Sequence, residues 1–567
     1  LQPSQQLGFG RFLTAFDSRH VPAYRFDLVV LGGGVGGAFA ALRAAEQGLS
    51  VAVLTKAAAR EGNTRYAQGG VAAVLGEEDS FESHLADTLS VGCGLCEREV
   101  VEGIVRGAPE AVERLLAMGT AFDRTSAGDW QRSREGGHSF PRVIHAHGDS
   151  TGREIQRALC EALAAADGVT CFPDVFALDL LSTDSGRVTG VLAETGRGEF
   201  AAFCSSRVLL ATGGAGQVYR ETTNPPVATG DGVAMAARAG ATLRDLEFVQ
   251  FHPTCLYIAG AGRALISEIV RGHGGLLVDR NGNRFMSDAH PDAELAPRDV
   301  VSRAVFRRMV ETGDTSVYLD LSQVDGDPQH LFPGISRVCS VFGMDIARDP
   351  IPVRPGAHYF IGGVLTDGHG RTSLPGLWAV GECASTGLHG ANRVGSNSLL
   401  EGLVMGLRAG TAIAEEVPQA LSAAAFAGGE KRRDTGSDSV LDINIEDLTY
   451  SLKSMMWRQM GVERDAAGMG EALEKIAFWM RVVEDLAEPE RRSWALLNML
   501  TVARLATLSA LDRDESRGVH YRVDRPATRA EACHTLIRPK LEGQQVTRAE
   551  VSRPLAGASP SYAIHES

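Results

Sequence analysis

The 567-residue chain has no run of the roughly 18 apolar residues that a membrane span requires, and its first 25 residues lack the uninterrupted apolar core of a signal peptide. Neither export nor membrane insertion is expected. Cysteine is sparse: nine residues, only Cys93 and Cys96 close together, without the dense, even framework of a secreted disulfide scaffold. A reducing cytoplasm fits that usage. A basic excess is missing too, since 70 acidic residues outweigh 56 basic ones and leave a formal net charge of −14. No basic field gathers phosphate backbones, so nucleic acid is not an expected partner. The Cys93-Gly94-Leu95-Cys96 pair has no second pair to complete a zinc site and no preceding strand, which gives it a structural role and leaves no metal site.

What remains is the make-up of an ordinary globular protein, 44% hydrophobic and 22% charged, with a length that suggests about three domains. Residues 26–31 (FDLVVL) form a short apolar run ended by glycines, followed by an Ala-rich segment over 38–47 and a second apolar run over 51–54. Strand, tight turn, helix and strand make a βαβ unit. Further strand-like runs at 207–211 and 377–380, each stopped by Gly, imply a sheet interrupted by an insertion. The insertion, about 246–352, carries Pro-rich punctuation and one strand candidate over 317–319. Residues 421–440 read as an Ala/Gly/Ser linker. Beyond it, Leu448, Leu452, Met455, Met456 and Met460 recur at helical spacing, which marks helical core rather than a binding surface.

The segment Gly32-Gly33-Gly34-Val35-Gly36-Gly37 satisfies G-x-G-x-x-G between a strand and a helix, where missing side chains let a pyrophosphate meet the helix N-terminus. The acidic residue that usually ends the second strand is replaced by Thr55 and Lys56, so a hydroxyl stands in for the carboxylate. Two later features favour FAD over NAD. One is the strand ending in Ala211-Thr212-Gly213-Gly214; the other is Gly376 to Glu382 (GLWAVGE), which resembles the segment beside the ribityl chain in two-dinucleotide-fold flavoproteins. Glu382 is the candidate there.

Tyr66-Ala67-Gln68-Gly69-Gly70, Arg134-Glu135-Gly136-Gly137-His138, Thr151-Gly152-Arg153-Glu154, Phe251-His252-Pro253-Thr254, Ala296-Pro297-Arg298-Asp299, His389-Gly390-Ala391-Asn392-Arg393 and residues 515–521 (ESRGVHY) follow in one order. In these the chain resembles the fumarate reductase and succinate dehydrogenase flavoprotein superfamily and, within it, the L-aspartate oxidases. The resemblance implies an α/β fold: a Rossmann-like FAD-binding domain (26–245 and 353–420) interrupted by an α+β capping domain (246–352), then a C-terminal helical domain (441–525). A leader (1–25) and a tail (526–567) flank them. It places FAD against Gly32, Gly33, Gly34, Gly36, Gly37, Thr55, Lys56, Asn63, Thr64, Tyr66, Ala67, Gln68, Gly69, Gly70, Ala211, Thr212, Gly213, Asp231, Glu382, Ser398 and Leu399. Asn63 stands where the respiratory subunits attach FAD through His, so the cofactor is expected to be non-covalent.

The same resemblance implies two carboxylate clamps, His252 with Ser267 and His358 with Arg393, with Gln250 among the substrate contacts; Arg suits a carboxylate because its planar fork binds bidentately. Arg298 exchanges a proton with substrate. Since a free guanidinium has a pKa above about 12, it needs a relay, for which Glu268 and Arg271 lie three apart on one helical face. Glu135, where the respiratory subunits carry an uncharged residue, is set to meet the α-ammonium of aspartate and to stand unpaired beside succinate. The implied reaction is hydride transfer from Cα of L-aspartate to flavin N5, giving iminoaspartate for quinolinate synthase in NAD synthesis, with O₂ or fumarate as acceptor. The rivals are a soluble fumarate reductase or succinate dehydrogenase flavoprotein subunit, and a flavoprotein that holds FAD without oxidising a small molecule. Departures from the family pattern are Ser267 for Thr, His273 for Glu, and bulkier residues at Phe360 and Ile361, which are expected to remodel the pocket wall.

Overall fold

The computed structural model describes residues 6–17, 20–258, 262, 264–419, 443–486, 490–542, 545–554 and 556. The expected linker lies outside them.

The βαβ unit forms as its pattern dictates: strand Leu28–Leu31, helix Val35–Glu46 and strand Val51–Thr55. Apart from the terminal Thr55, these strands are apolar and buried, the pattern of a parallel strand covered on both faces. Strand Val208–Leu210 adds on one side with Leu377–Ala379 beyond it, and Val169–Pro173 adds on the other, giving a five-stranded, all-parallel sheet. Segments far apart in sequence thus share one sheet, as their glycine-stopped runs suggested.

The cap is a four-stranded antiparallel sheet, in the order Val249–Leu256, Ile351–Phe360, Val317–Asp320, Leu276–Val278. Its strand Ile351–Phe360 runs past position 352, where proline punctuation suggested the cap would end. Pro352 and Pro355 lie inside this strand, and the Pro352 carbonyl still accepts from Tyr257 N at 2.8 Å. His358 therefore belongs to a cap strand.

Three helices, Ile445–Gln459, Ala466–Glu484 and Arg491–Asp512, make the C-terminal unit. Leu452, Met455, Met456 and Met460 are core residues of it, and Leu448 packs partly buried against them. Arg491–Asp512 is long and apolar enough by composition to cross a membrane, although the sequence holds no unbroken apolar run of that length. Its apolar window is 89% buried inside the protein, and it serves as the bundle's central helix. Residues of the expected leader and tail enter a six-stranded sheet: Gln6–Gly10 pairs with Gln545–Ser552, which pairs with Leu536–Glu542, which reaches Leu243–Arg244 at the base of the cap. All nine cysteines are free. Burial pushes the Cys96 thiol up to about 12 and Cys93 upward as well, against a thiolate redox pair.

Candidate active site

A single cavity runs from the carboxyl ends of the parallel sheet to the underside of the cap. At the sheet end, Gly32 has φ +110°, and a Cβ there would stand 2.2 Å from the Ala211 carbonyl oxygen. No other residue fits that turn. Helix Val35–Glu46 opens on Gly34 with no acidic residue in its first turn and no side-chain cap, leaving an N-terminus suited to an anion. Gly33, Gly34, Gly36, Ala211, Thr212 and Gly213 line this end. Gly37 does not. A Cβ on it would meet the Gly32 carbonyl oxygen at 2.0 Å, so it allows helix and strand to approach rather than touching a ligand.

At the end of the second strand, Thr55 lines the cavity but gives its hydroxyl proton to the Ala57 carbonyl (2.9 Å). A carboxylate arrives from elsewhere: Asp231, the first residue of helix Asp231–Arg238, pairs with Lys56 Nζ at 2.6 Å. Its other oxygen accepts from Thr229 Oγ1 and from Asn498 Nδ2, both at 2.8 Å. The C-terminal helical unit thereby reaches the nucleotide end. Further along, Asn63 Nδ2 donates to Glu382 Oε2 (2.7 Å) and Phe360 N to Glu382 Oε1 (3.0 Å). Burial outweighs both bonds and pushes Glu382 up to about 7. The Asn63 and Gln68 carbonyl oxygens are buried without partners, and Thr64, Tyr66, Ala67, Gly69, Gly70, Ser398 and Leu399 complete the wall. A glycine cradle, a helix N-terminus, and orphaned amide oxygens beside a carboxylate fit FAD. Asn63 offers no nucleophilic ring nitrogen for a covalent link.

Under the cap, the expected substrate residues come together from six segments. Arg298 donates from Nε to Glu268 Oε2 (3.0 Å) and from Nη1 to Gln250 Oε1 (3.2 Å). Arg271 sits behind, 3.3 Å from Glu268 Oε1. Burial raises the Glu268 carboxyl, but the Arg298 and Arg271 charges outweigh it and hold the group below its ordinary value. Arg393 donates from Nη2 to Ser398 Oγ (2.6 Å) and stacks on the Tyr359 ring at 4.9 Å. Burial, then the Arg298 charge, lower its pKa to about 10, so it stays protonated at neutral pH.

His252 Nδ1 accepts from Thr254 N (3.3 Å), which places the neutral ring's proton on Nε2; that atom is buried and unpartnered, in a ring that lines the cavity. Burial and then Arg298 hold both His252 and His358 well below the usual imidazole range. His84, at about 3, and His520 are depressed by burial too. Since the folded protein disfavours the protonated rings, stability should be full above about pH 6.5, the unfolded value, and fall as pH drops below it. A thermal midpoint that declines from pH 6.5 to 5 is expected; a flat one would contradict neutral burial.

Ser267 and His358 also line the cavity, and His358 Nδ1 is held by Thr223 Oγ1 at 2.9 Å. Gln250 needs correction. It is fully buried outside the cavity wall, its oxygen shared by Arg298 and Arg393 (3.4 Å) and its amide donating to Asn392 Oδ1 and to the Arg393 carbonyl. It positions the two arginines from behind. Arg271 likewise stays off the wall. Phe360 and Ile361 are not on the cavity wall: Phe360 packs beside Tyr219 and Ile361 enters a separate apolar cluster with Leu95 and Phe248. His273 lies outside the cavity, against the Phe332 ring. Thr223, Asn224 and Ser396 line the cavity without having been picked out; only the Asn224-Pro225 turn pair gave any local sign.

Glu135 reaches the cavity from the loop before strand Val143–Ile144. Ser396 Oγ donates to its Oε2 at 2.7 Å, and its Oε1 is buried without a hydrogen-bond partner, 3.9 Å from His145 Nε2. On the cavity wall under the cap, Arg298 is paired with Glu268, Arg393 carries a second positive charge, and Glu135 brings a carboxylate with one oxygen unpartnered.

Residues 27–399 match the family model for the FAD binding domain, and 449–556 match that for the fumarate reductase flavoprotein C-term. The chain is 45% identical over 521 residues to the L-aspartate oxidase of Streptomyces coelicolor, covering 88% of each chain. It is 42% identical over 544 residues to that of Synechocystis, covering 91% of this chain and 97% of the relative. Among solved structures, it superposes on a mutant E. coli quinol fumarate reductase with a TM-score of 0.84 at 34% identity, covering 94% and 97% of the two chains.

Proposed function

The chain belongs to the L-aspartate oxidase family of FAD flavoproteins, and on that premise we propose how its cavity oxidises L-aspartate to iminoaspartate. The observation that carries the reading is the buried, unpartnered Glu135 Oε1 on a cavity wall that also holds Arg393 and the His252 and His358 rings. A buried, half-paired carboxylate is costly unless a cation arrives. The α-ammonium of aspartate supplies one, whereas succinate does not.

In this reading Arg393 and His358 hold one carboxylate, while neutral His252, donating from Nε2, and Ser267 hold the other. The turn 32–37, Lys56 with Asp231, and Asn63 with Glu382 would hold FAD, which when bound supplies the acceptor for the hydride leaving Cα. The substrate nitrogen must lose one proton as Cα loses its hydride. Arg298 first gives its Nε proton to Glu268, 3.0 Å away; the neutral guanidine so formed then accepts the proton from the substrate nitrogen, and Arg271 steadies the relay. Gln250 holds Arg298 and Arg393 in register. Electrons then pass to O₂ or to fumarate, and the product passes to quinolinate synthase in the cytoplasm, at the entry to NAD synthesis.

The test is the visible spectrum under anaerobic L-aspartate beside succinate. Aspartate should bleach the flavin and succinate should not. Glu135→Gln should raise the KM for aspartate at least about tenfold, the scale of a lost hydrogen bond to a charge. Equal bleaching by succinate would move the chain to the succinate and fumarate branch.

A further inference from the structure

Glu135 is selective only if its carboxylate is held with one oxygen occupied and the other turned to the substrate. Glu135 itself lies in the loop between the short paired strands Arg132–Ser133 and Val143–Ile144, so no strand or helix holds its backbone. Ser396 provides the hold. Its hydroxyl donates to Glu135 Oε2 at 2.7 Å, across 261 residues of sequence. Ser396 is itself buried, in the left-handed region at φ +60°, as the residue that opens helix Asn397–Glu415. This is a costly conformation for a non-glycine residue and persists only where surroundings enforce it. Here they do: the Ser396 carbonyl accepts from Ala72 N (3.3 Å), and Asn397 N donates to the Gly395 carbonyl (2.8 Å).

A second bond ties the same two loops together, from His138 Nε2 to the Gly395 carbonyl at 3.0 Å. Two glycines leave room for the pair. A Cβ on Gly69 would lie 3.2 Å from Ser396 Oγ and 3.6 Å from Glu135 Oε1, and one on Gly395 would lie 2.8 Å from Glu135 Oε2 and 3.1 Å from Arg298 Nη2. The carboxylate is thus framed between backbone segments, one oxygen anchored and the other unpartnered.

We propose that Ser396 is a positioning residue for substrate selection, fixing Glu135 so that its free oxygen meets an α-ammonium. This rests on the reading that the substrate is aspartate. The two loops that meet here carry both Glu135 and Arg393, so a single hydroxyl sets the ammonium contact in register with a carboxylate clamp.

The experiment compares Ser396→Ala and Ser396→Gly holoenzymes with the parent. It measures the KM for L-aspartate in anaerobic flavin reduction and the inhibition constant of succinate against it. Both variants lose the hydroxyl, but glycine relieves the left-handed backbone while alanine does not. The expected result is a rise of about tenfold in KM for aspartate in both. Succinate inhibition should be unchanged or tighter, so selectivity falls about tenfold. Selectivity within twofold of the parent in both variants would overturn the proposal. So would loss in the alanine variant with full retention in the glycine one, since that traces the effect to backbone strain. A parent flavin that aspartate does not bleach would instead bring down the aspartate reading itself, and this inference with it.

Discussion

Arg298→Gln enzyme retains FAD and its visible spectrum, yet is bleached by anaerobic L-aspartate about 10³-fold more slowly than the parent, the middle of the range for loss of a positioned proton-transfer group. The argument is geometric. Glu268 and Gln250 hold Nε and Nη1 of Arg298 at 3.0 and 3.2 Å, which leaves Nη2 beside the position where Gly395 lacks a side chain, close to Glu135. Glutamine keeps a polar group of smaller reach but cannot pass a proton between two nitrogens. Glu268 keeps Arg271 at 3.3 Å, so the buried carboxylate is not stranded and the fold survives. The effect should fall on the reduction rate rather than on KM, because Arg393 and the two histidines still bind the carboxylates. Rapid-mixing reduction kinetics, with the thermal midpoint as a control, checks this. A rate within tenfold of the parent would remove Arg298 from the proton path.

Gly32→Ala protein is expected to purify without flavin and with a markedly lower thermal midpoint. Two costs add. Alanine at φ +110° occupies backbone space closed to L-residues, and its Cβ would stand 2.2 Å from the Ala211 carbonyl oxygen, which is backbone just past strand Val208–Leu210 and cannot swing aside. Strain and overpacking each run to about 1–3 kcal/mol, and together they are a large share of a domain's net stability. Any displacement of the turn also tilts the N–H groups of helix Val35–Glu46 away from an anion. The ratio of flavin to protein absorbance and a melting curve measure the two consequences. Stoichiometric FAD in the variant would show that the turn tolerates a side chain.

The sequence by itself determined the features that are local. A strand stopped by glycines and followed by an alanine-rich helix spells its own turn, since φ > 0 and close backbone approach demand glycine within a few residues. The carboxylate-binding and proton-relay candidates sit in short motifs, and the resemblance those motifs carry is what names them. The Met-bearing stripe declared its buried face through helical period alone.

Tertiary structure decided whatever depends on two segments meeting. The carboxylate on the cavity wall beside Lys56 is Asp231, from another helix, braced by Asn498 from the C-terminal unit. Gln250, named as a substrate contact, proves to stand behind Arg298 and Arg393, because whether a cap residue lines the cavity or backs it depends on which neighbours cover it. Helix Arg491–Asp512, apolar enough for a membrane, is a core helix because the other helices and the nucleotide domain bury it. Glu135 was visible as a residue type but not as a geometry. Only folding brings Ser396 to one oxygen and leaves the other unpartnered, and a hydrogen bond across 261 residues leaves no trace in local pattern.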